Sequence, residues 1–479
     1  MIKSRYFFAL HRFFLGGDDL EKSKGMRLPA RASIFYFAGT FLSKGIGLLV
    51  TPLFTRAMSL SEYGVYSYYI SVLGIGTMLS GVFLSPSVIY SGLGKFRGKE
   101  KSVADLSIAL TFAINLLFCI VLFTFSGFFG INRRLVPIML FQGFCDSVIT
   151  AELLRLKFSY SYGRVLGINL CSSLFSAALS LLLVFYTDLG ALGRILGLLF
   201  PALIITIFIV FSRKEGFLTD KDIQNFLIKN SLPLLPSLIA RAALGSGDKL
   251  IIRRLMGEAA LAKYSVAHGV GMALFGIIAA ICSALNPWLV RKLSRGEEDA
   301  TFSLISELSK IVGWGSVFAL GLAPEILAFL APKSYADSLY AIAPFALSSL
   351  PYFLIGITTV ILCYREKTKY VSASSILGAA VNIAANFLLI PYLGYAGGAI
   401  AYLVSQMLAF MLSVLWLRRY DSAAAEALGV FPTMLYTCGF GALLVLLYPY
   451  TALRILLLII PAIFCLRGGF SALRMAKEK

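Results

Sequence analysis

Charged residues are scarce in this chain, 14% of 479, and acids are scarcer still, 24 against 43 Lys and Arg. With 58% apolar residues and a mean hydropathy of +0.84, the composition excludes a water-soluble globular protein and describes a chain built mostly of membrane spans. Histidines number only two, and the seven cysteines stand singly in apolar runs. That spacing suits neither a disulfide frame nor a metal site, and no metal or other cofactor is expected. No G-x-x-x-x-G-K-S/T loop is present, which excludes ATP hydrolysis at a P-loop, and neither H-E-x-x-H nor C-x-x-C occurs. Long polar stretches are missing too. The largest, residues 212–230, is too short for a folded extramembrane domain, so the work of this chain is done within the bilayer and no enzyme activity is expected.

What is present is a series of about fourteen apolar runs of roughly 20 residues, each long enough to cross ~30 Å of hydrocarbon as a helix. The expected fold class is therefore an all-α polytopic membrane protein with about 14 transmembrane helices. Assigning the connections alternately to two sides places roughly thirty Lys and Arg on the side of the N-terminus and about seven on the other, which puts both termini in the cytoplasm. The net charge of +19 thus speaks to topology and lipid contact, and no nucleic-acid partner is expected. Residues 1–31 carry seven Lys and Arg around Tyr6, Phe7, Leu10, Phe13 and Phe14, the pattern of a helix lying in the headgroup region.

The chain repeats itself. A shift of 198 positions lays Arg254, Met256, Tyr264, Ser265 and Val270 over Arg56, Met58, Tyr66, Ser67 and Val72, and a shift of 204 lays Leu393, Gly394 and Gly397 over Leu189, Gly190 and Gly193. Two six-helix bundles follow, residues 32–211 and 231–419, joined by a cytoplasmic linker at 212–230 and followed by two more helices and a basic tail at 420–479. Because six helices intervene, the copies run parallel and are related by an axis along the membrane normal.

Charges inside spans mark polar pathways, since each costs about 2.5 to 3.5 kcal/mol near the bilayer centre. Lys44 sits midway along the first span in a stripe of small and polar residues, Ser33, Tyr36, Thr40, Gly47, Thr51 and Thr55. In the seventh span Ser237, Arg241, Gly245 and Asp248 share a face, while Lys249 points about 100° away. Lys44 and Arg241 are read as cations on the facing walls of one central cavity. Asp146, on the face of Gln142, and Asp248 are candidate proton or sodium sites. Further polar candidates for the cavity are Tyr66, Tyr69, His268, Asn169, Asn382 and Asn386. Glu152 with Arg155 and Glu307 with Lys310 are spaced as self-compensating pairs.

The stretches RAMSLSEYGVYS (56–67), Asp248-Lys249 followed by Ala262-Lys263-Tyr264-Ser265, and NIAANFLLIPYLGYAGGA (382–399) resemble the bacterial polysaccharide flippases of the Wzx type. These belong to the superfamily of multidrug, oligosaccharidyl-lipid and polysaccharide exporters. The resemblance implies two bundles working by alternating access in the inner membrane. They would carry a polyprenyl-pyrophosphate-linked oligosaccharide, as in O-antigen or exopolysaccharide synthesis, to the outer leaflet, alongside a polysaccharide polymerase. In similar proteins cations on the first, second, seventh and eighth helices line the cavity; here Lys44 and Arg241 fit, the second span has none, and the eighth offers His268. The alternatives are a cation-coupled exporter of small molecules and a membrane glycan polymerase or ligase.

Overall fold

A computed structural model of the chain describes residues 28–159, 161–211, 220–428 and 431–477, and every regular element among them is helical. The basic segment expected at the headgroups thus lies, up to residue 27, outside the described residues, as does 212–219 of the linker. Two compact units emerge, Met1–Ala242 and Ala243–Lys479.

The first unit contains α1 (Leu28–Ala57), α2 (Leu60–Ser80), α3 (Pro86–Lys95), α4 (Glu100–Thr124), the single turn α5 (Ser126–Phe129), α6 (Leu135–Phe158), α7 (Tyr162–Tyr186), α8 (Gly190–Phe211) and α9 (Lys221–Ser231). The corner between α1 and α2 is made by a capping box. Ser59 donates its backbone N–H to Glu62 Oε2 at 2.8 Å, and its hydroxyl accepts from the Glu62 N–H at 3.2 Å. The core lies under α3 and α4, where Val82, Phe83, Leu93, Val103 and Val148 are buried together with Ile223 and Leu227 of α9. The neighbouring helices α7 and α8 approach closely because Gly197 lies against the backbone of Ser180, with no space for a side chain.

The second unit is built from α10 (Leu235–Ser294), whose first residues belong to the first unit, α11 (Glu298–Gly321), α12 (Ala323–Leu330), α13 (Leu339–Leu347), α14 (Ser349–Tyr364), α15 (Thr368–Leu393), α16 (Tyr395–Tyr420), the short α17 (Ser422–Ala427), α18 (Phe431–Leu446), α19 (Thr451–Leu457) and α20 (Ile459–Lys477). Its core gathers Phe302, Ile305, Leu350, Phe353, Ile357, Phe410 and Leu417. Although α10 runs for 60 residues, it breaks at Gly257, which adopts φ 84°, ψ −174°. A side chain is strained at that backbone geometry. Gly257 is the repeat counterpart of Ser59, so the same corner is turned by a cap in one unit and by a glycine in the other. Arg253 and Glu258 pair across the break at 3.1 Å.

The C-terminal helices pack onto α11. Trp314 stacks on Phe464 with ring centroids 4.6 Å apart, and Gly321, Gly441 and Gly468 leave no space for a methyl group. At the bend of 57° between α11 and α12, the fully buried Arg454 forks onto Glu325 at 2.5 and 2.8 Å and also donates to the Gly321 carbonyl. At the other end of α11, Arg365 joins Glu298 at 2.8 Å and Asp421 at 2.6 Å, tying the starts of α11 and α17 to the end of α14.

Eleven helices among the described residues are long and apolar enough to cross a membrane, twelve if the bent pair α11–α12 is one span. The fourteen expected runs exceed that count. The difference falls at α1, where only Gly45–Ala57 registers as a shorter apolar helix, and at α10, where two apolar runs merge through Gly257. Large apolar side chains such as Phe175, Ile204, Phe387 and Leu435 are exposed on these helices, as expected where lipid tails rather than water cover the surface.

Candidate functional site

In the second unit, Asp248 is 1% exposed in the middle of an apolar helix. Its carboxylate accepts from the Tyr264 hydroxyl and, at 2.7 Å, from the Lys249 backbone N–H. Tyr264 lies beyond the Gly257 break, so the break allows one helix to supply both the acid and its donor. Around Tyr264 stand His268, whose ring is 6.1 Å away, and Phe345, which meets His268 edge-on at 5.2 Å. Tyr402 lies 5.5 Å from Phe345 and accepts a hydrogen bond from Gln406 at 2.9 Å.

Asn382 and Asn386 of α15 complete this interior. Asn386 donates to the Asn382 carbonyl at 2.8 Å and to its side-chain oxygen at 3.1 Å, while Asn382 reaches Ser405 of α16 at 3.4 Å. The side-chain oxygen of Asn386 is buried without a donor. A Cβ on Gly398 would lie 3.4 Å from that atom and 3.3 Å from the Tyr264 ring. A carboxylate, a tyrosine and an asparagine oxygen thus gather in an apolar surround, where electrostatic interactions are strong. Such a cluster can accept a proton or ligate a small cation.

The first unit holds a cation in the corresponding place. Arg194, the repeat counterpart of Gly398, is 8% exposed and lies over Phe54 at 3.6 Å and Tyr66 at 4.0 Å. Phe54 and Tyr66 are the counterparts of Ile252 and Tyr264, the residues that flank Gly398 in the second unit. Arg194 is not among the residues expected at the site; its signal in the sequence is that it is the sole charged residue in the span Gly190–Phe211. Face-on stacking of a guanidinium on aromatic rings lowers the cost of holding it away from water.

Tyr69, 1% exposed, donates to Gln142 Oε1 at 2.8 Å, so its hydroxyl is used inside the bundle. Asp146 follows one turn beyond Gln142 on α6 and is half-buried. The Asn169 carbonyl accepts from Ser43 at 3.2 Å and from Ser173 at 2.8 Å, which joins α7 to α1. Lys44 lies on α1 with its side chain outside the described residues. Arg241 is exposed on the first segment of α10, and Lys249 is half-buried. Glu152 pairs with Arg155 at 2.7 Å and Glu307 with Lys310 at 2.6 Å, the local pairs expected from their spacing.

Comparison with known proteins agrees with this architecture. The Lsg locus putative protein 1 of Haemophilus influenzae is 23% identical over 407 residues, covering 80% of this chain and 97% of the relative. Among solved structures, the lipid II flippase MurJ in an inward closed conformation matches with a TM-score of 0.70 at 15% identity, over 90% of this chain and 98% of that one. An inward-facing MATE family multidrug resistance transporter of the MOP superfamily matches with a TM-score of 0.62 at 14% identity, over 82% and 99%. The fold is therefore that of the MOP superfamily transporters. Residues 30–293, more than half of the chain, match the model of the polysaccharide biosynthesis protein family, and the chain belongs to that family.

Proposed function

We propose that this membrane protein flips a polyprenyl-pyrophosphate-linked oligosaccharide from the cytoplasmic to the outer leaflet of the bacterial inner membrane by alternating access, for surface polysaccharide synthesis. The observation that carries the proposal is Arg241, an exposed cation on an apolar helix in a chain of the polysaccharide biosynthesis family. A pyrophosphate does not pass through hydrocarbon unless fixed cations meet its charge. Arg241 offers a planar fork of donors to phosphate oxygens and Lys44 a compact charge. Polar side chains such as Tyr66 and Asn169, both half-buried, would meet sugar hydroxyls, and a polysaccharide polymerase would take the delivered product.

Asp248 supplies the coupling site. Its carboxylate, Tyr264 and the free oxygen of Asn386 suit a proton or a sodium ion, with Asp146 as a second candidate acid in the first unit. The basic connections support a topology with both termini in the cytoplasm. The MATE-like fold and a buried acid support one second reading, export of a small organic cation. Replacing Lys44 and Arg241 separately by Ala separates the two. The flippase reading predicts that surface glycan falls at least tenfold in each variant while membrane insertion is unchanged. Normal glycan output from both would overturn the assignment of these cations.

A further inference from the structure

We propose that a pocket between the C-terminal end of α3 and one side of α9 binds the headgroup of a membrane glycerophospholipid. Its phosphate would lie on Lys95 and Lys229, and a headgroup hydroxyl or ammonium on Asp222. The cavity has a volume of about 560 Å³, and its walls include these three residues with Phe96, Phe226 and the amides of Asn225 and Asn230. It does not depend on what the protein transports.

The frame of the pocket is fixed. Ile223 and Leu227 seat α9 on the core of the first unit, and both are fully buried. Asp220 caps α9 by accepting from the Asp222 N–H at 3.0 Å and the Ile223 N–H at 3.4 Å, and it holds Lys99, at the start of α4, at 2.8 Å. The rings of Phe96 and Phe226 meet edge-on at 5.5 Å. The Lys95 ammonium stands over both, 5.5 Å from the first centroid and 5.0 Å from the second. Aromatic faces attract the charge and leave the N–H donors of an ammonium available to an acceptor. Lys229 is exposed in the last turn of α9. Asn230 donates to the Phe226 carbonyl at 2.7 Å, which leaves its side-chain oxygen as an acceptor.

The position of the pocket selects its occupant. Lys95 closes the apolar span Leu60–Lys95, and α9 opens the apolar stretch Lys221–Ser294, so the pocket lies at the membrane boundary, on the face that the basic connections assign to the cytoplasm. Basic pockets at this level meet lipid phosphates. Two lysines suit one phosphate, and Asp222 within the same wall disfavours a second anionic group and requires a donor. Phosphatidylethanolamine and phosphatidylglycerol meet both conditions. Phosphatidylcholine, whose quaternary ammonium has no N–H, meets only the first.

The test is native mass spectrometry of the full-length protein in detergent, titrated with each of these three lipids. The expected result is at least fivefold greater retention of phosphatidylethanolamine and phosphatidylglycerol than of phosphatidylcholine. Retention should fall severalfold for all three in a Lys95→Gln/Lys229→Gln variant and be restored in Lys95→Arg/Lys229→Arg, with both variants matching the parent in thermal unfolding. Asp222→Asn should narrow the difference between phosphatidylethanolamine and phosphatidylcholine. Unchanged retention in the double glutamine variant would overturn the site. Displacement of bound lipid by millimolar glycerol phosphate would assign the pocket to a soluble phosphate compound and overturn the lipid.

Discussion

Replacing Asp248 by Asn separates a coupling acid from a structural one. The carboxylate accepts two hydrogen bonds, from Tyr264 and from the Lys249 N–H. Bonds to a charged acceptor contribute about 1.5 to 3 kcal/mol each, but holding the charge inside an apolar helix costs about 2.5 to 3.5 kcal/mol. Asparagine keeps the shape and one carbonyl acceptor and removes the charge, so the losses and gains nearly cancel. The expected change in unfolding free energy is within about 1 kcal/mol, in either direction. Transport driven by a proton or sodium gradient should instead fall more than tenfold, a barrier increase of about 1.4 kcal/mol or more. Thermal unfolding in detergent and gradient-driven flipping in proteoliposomes measure the two quantities. A variant destabilised by more than about 3 kcal/mol whose folded fraction transports normally would refute the coupling role and make Asp248 a structural acid.

Two other substitutions test the packing. A methyl group on Gly197 would lie 2.4 Å from the Ser180 Cα and 2.5 Å from its backbone nitrogen, so α7 and α8 must part; Gly197→Ala should destabilise by about 1 to 3 kcal/mol in a thermal-melt series, whereas Gly94→Ala, which meets nothing nearby, should cost under about 1 kcal/mol. Arg454→Met leaves Glu325 and the Gly321 carbonyl without their donor. With the Glu325 side chain 47% exposed, the loss should be about 1 to 3 kcal/mol, larger than for Glu325→Gln, and the reverse order in chemical unfolding would remove Arg454 as the anchor of the C-terminal helices.

The parts of this molecule that were legible in its sequence are those set by local chemistry. Apolar runs gave the spans, and the two repeat offsets gave the pairing of Tyr66 with Tyr264 and of Gly190 with Gly394. Glu152 with Arg155 and Glu307 with Lys310 are neighbours on one helix turn, so spacing alone identified them. The contacts that were not legible join residues far apart in the chain. Arg194 meets Phe54 and Tyr66 more than a hundred positions away, and Arg454 meets Glu325 at a similar separation; no periodicity encodes such partners. Asp248 was recognised as an anomalous charge, but its bond to Tyr264 depends on the backbone turn at Gly257, which resembles ordinary helix sequence. Asn382 and Asn386 were visible as a stripe, and their mutual bonding, with one oxygen left over, emerged only from the packing of α15 on α16.

The central claim is that the chain moves a lipid-linked oligosaccharide, and mass spectrometry of the polyprenyl-linked lipids in cells with and without the protein tests it most directly. The account predicts that its loss causes a pyrophosphate-linked oligosaccharide to accumulate, with the glycan identified by its mass. An unchanged lipid pool, in cells with no second flippase, would contradict it and favour export of a small molecule.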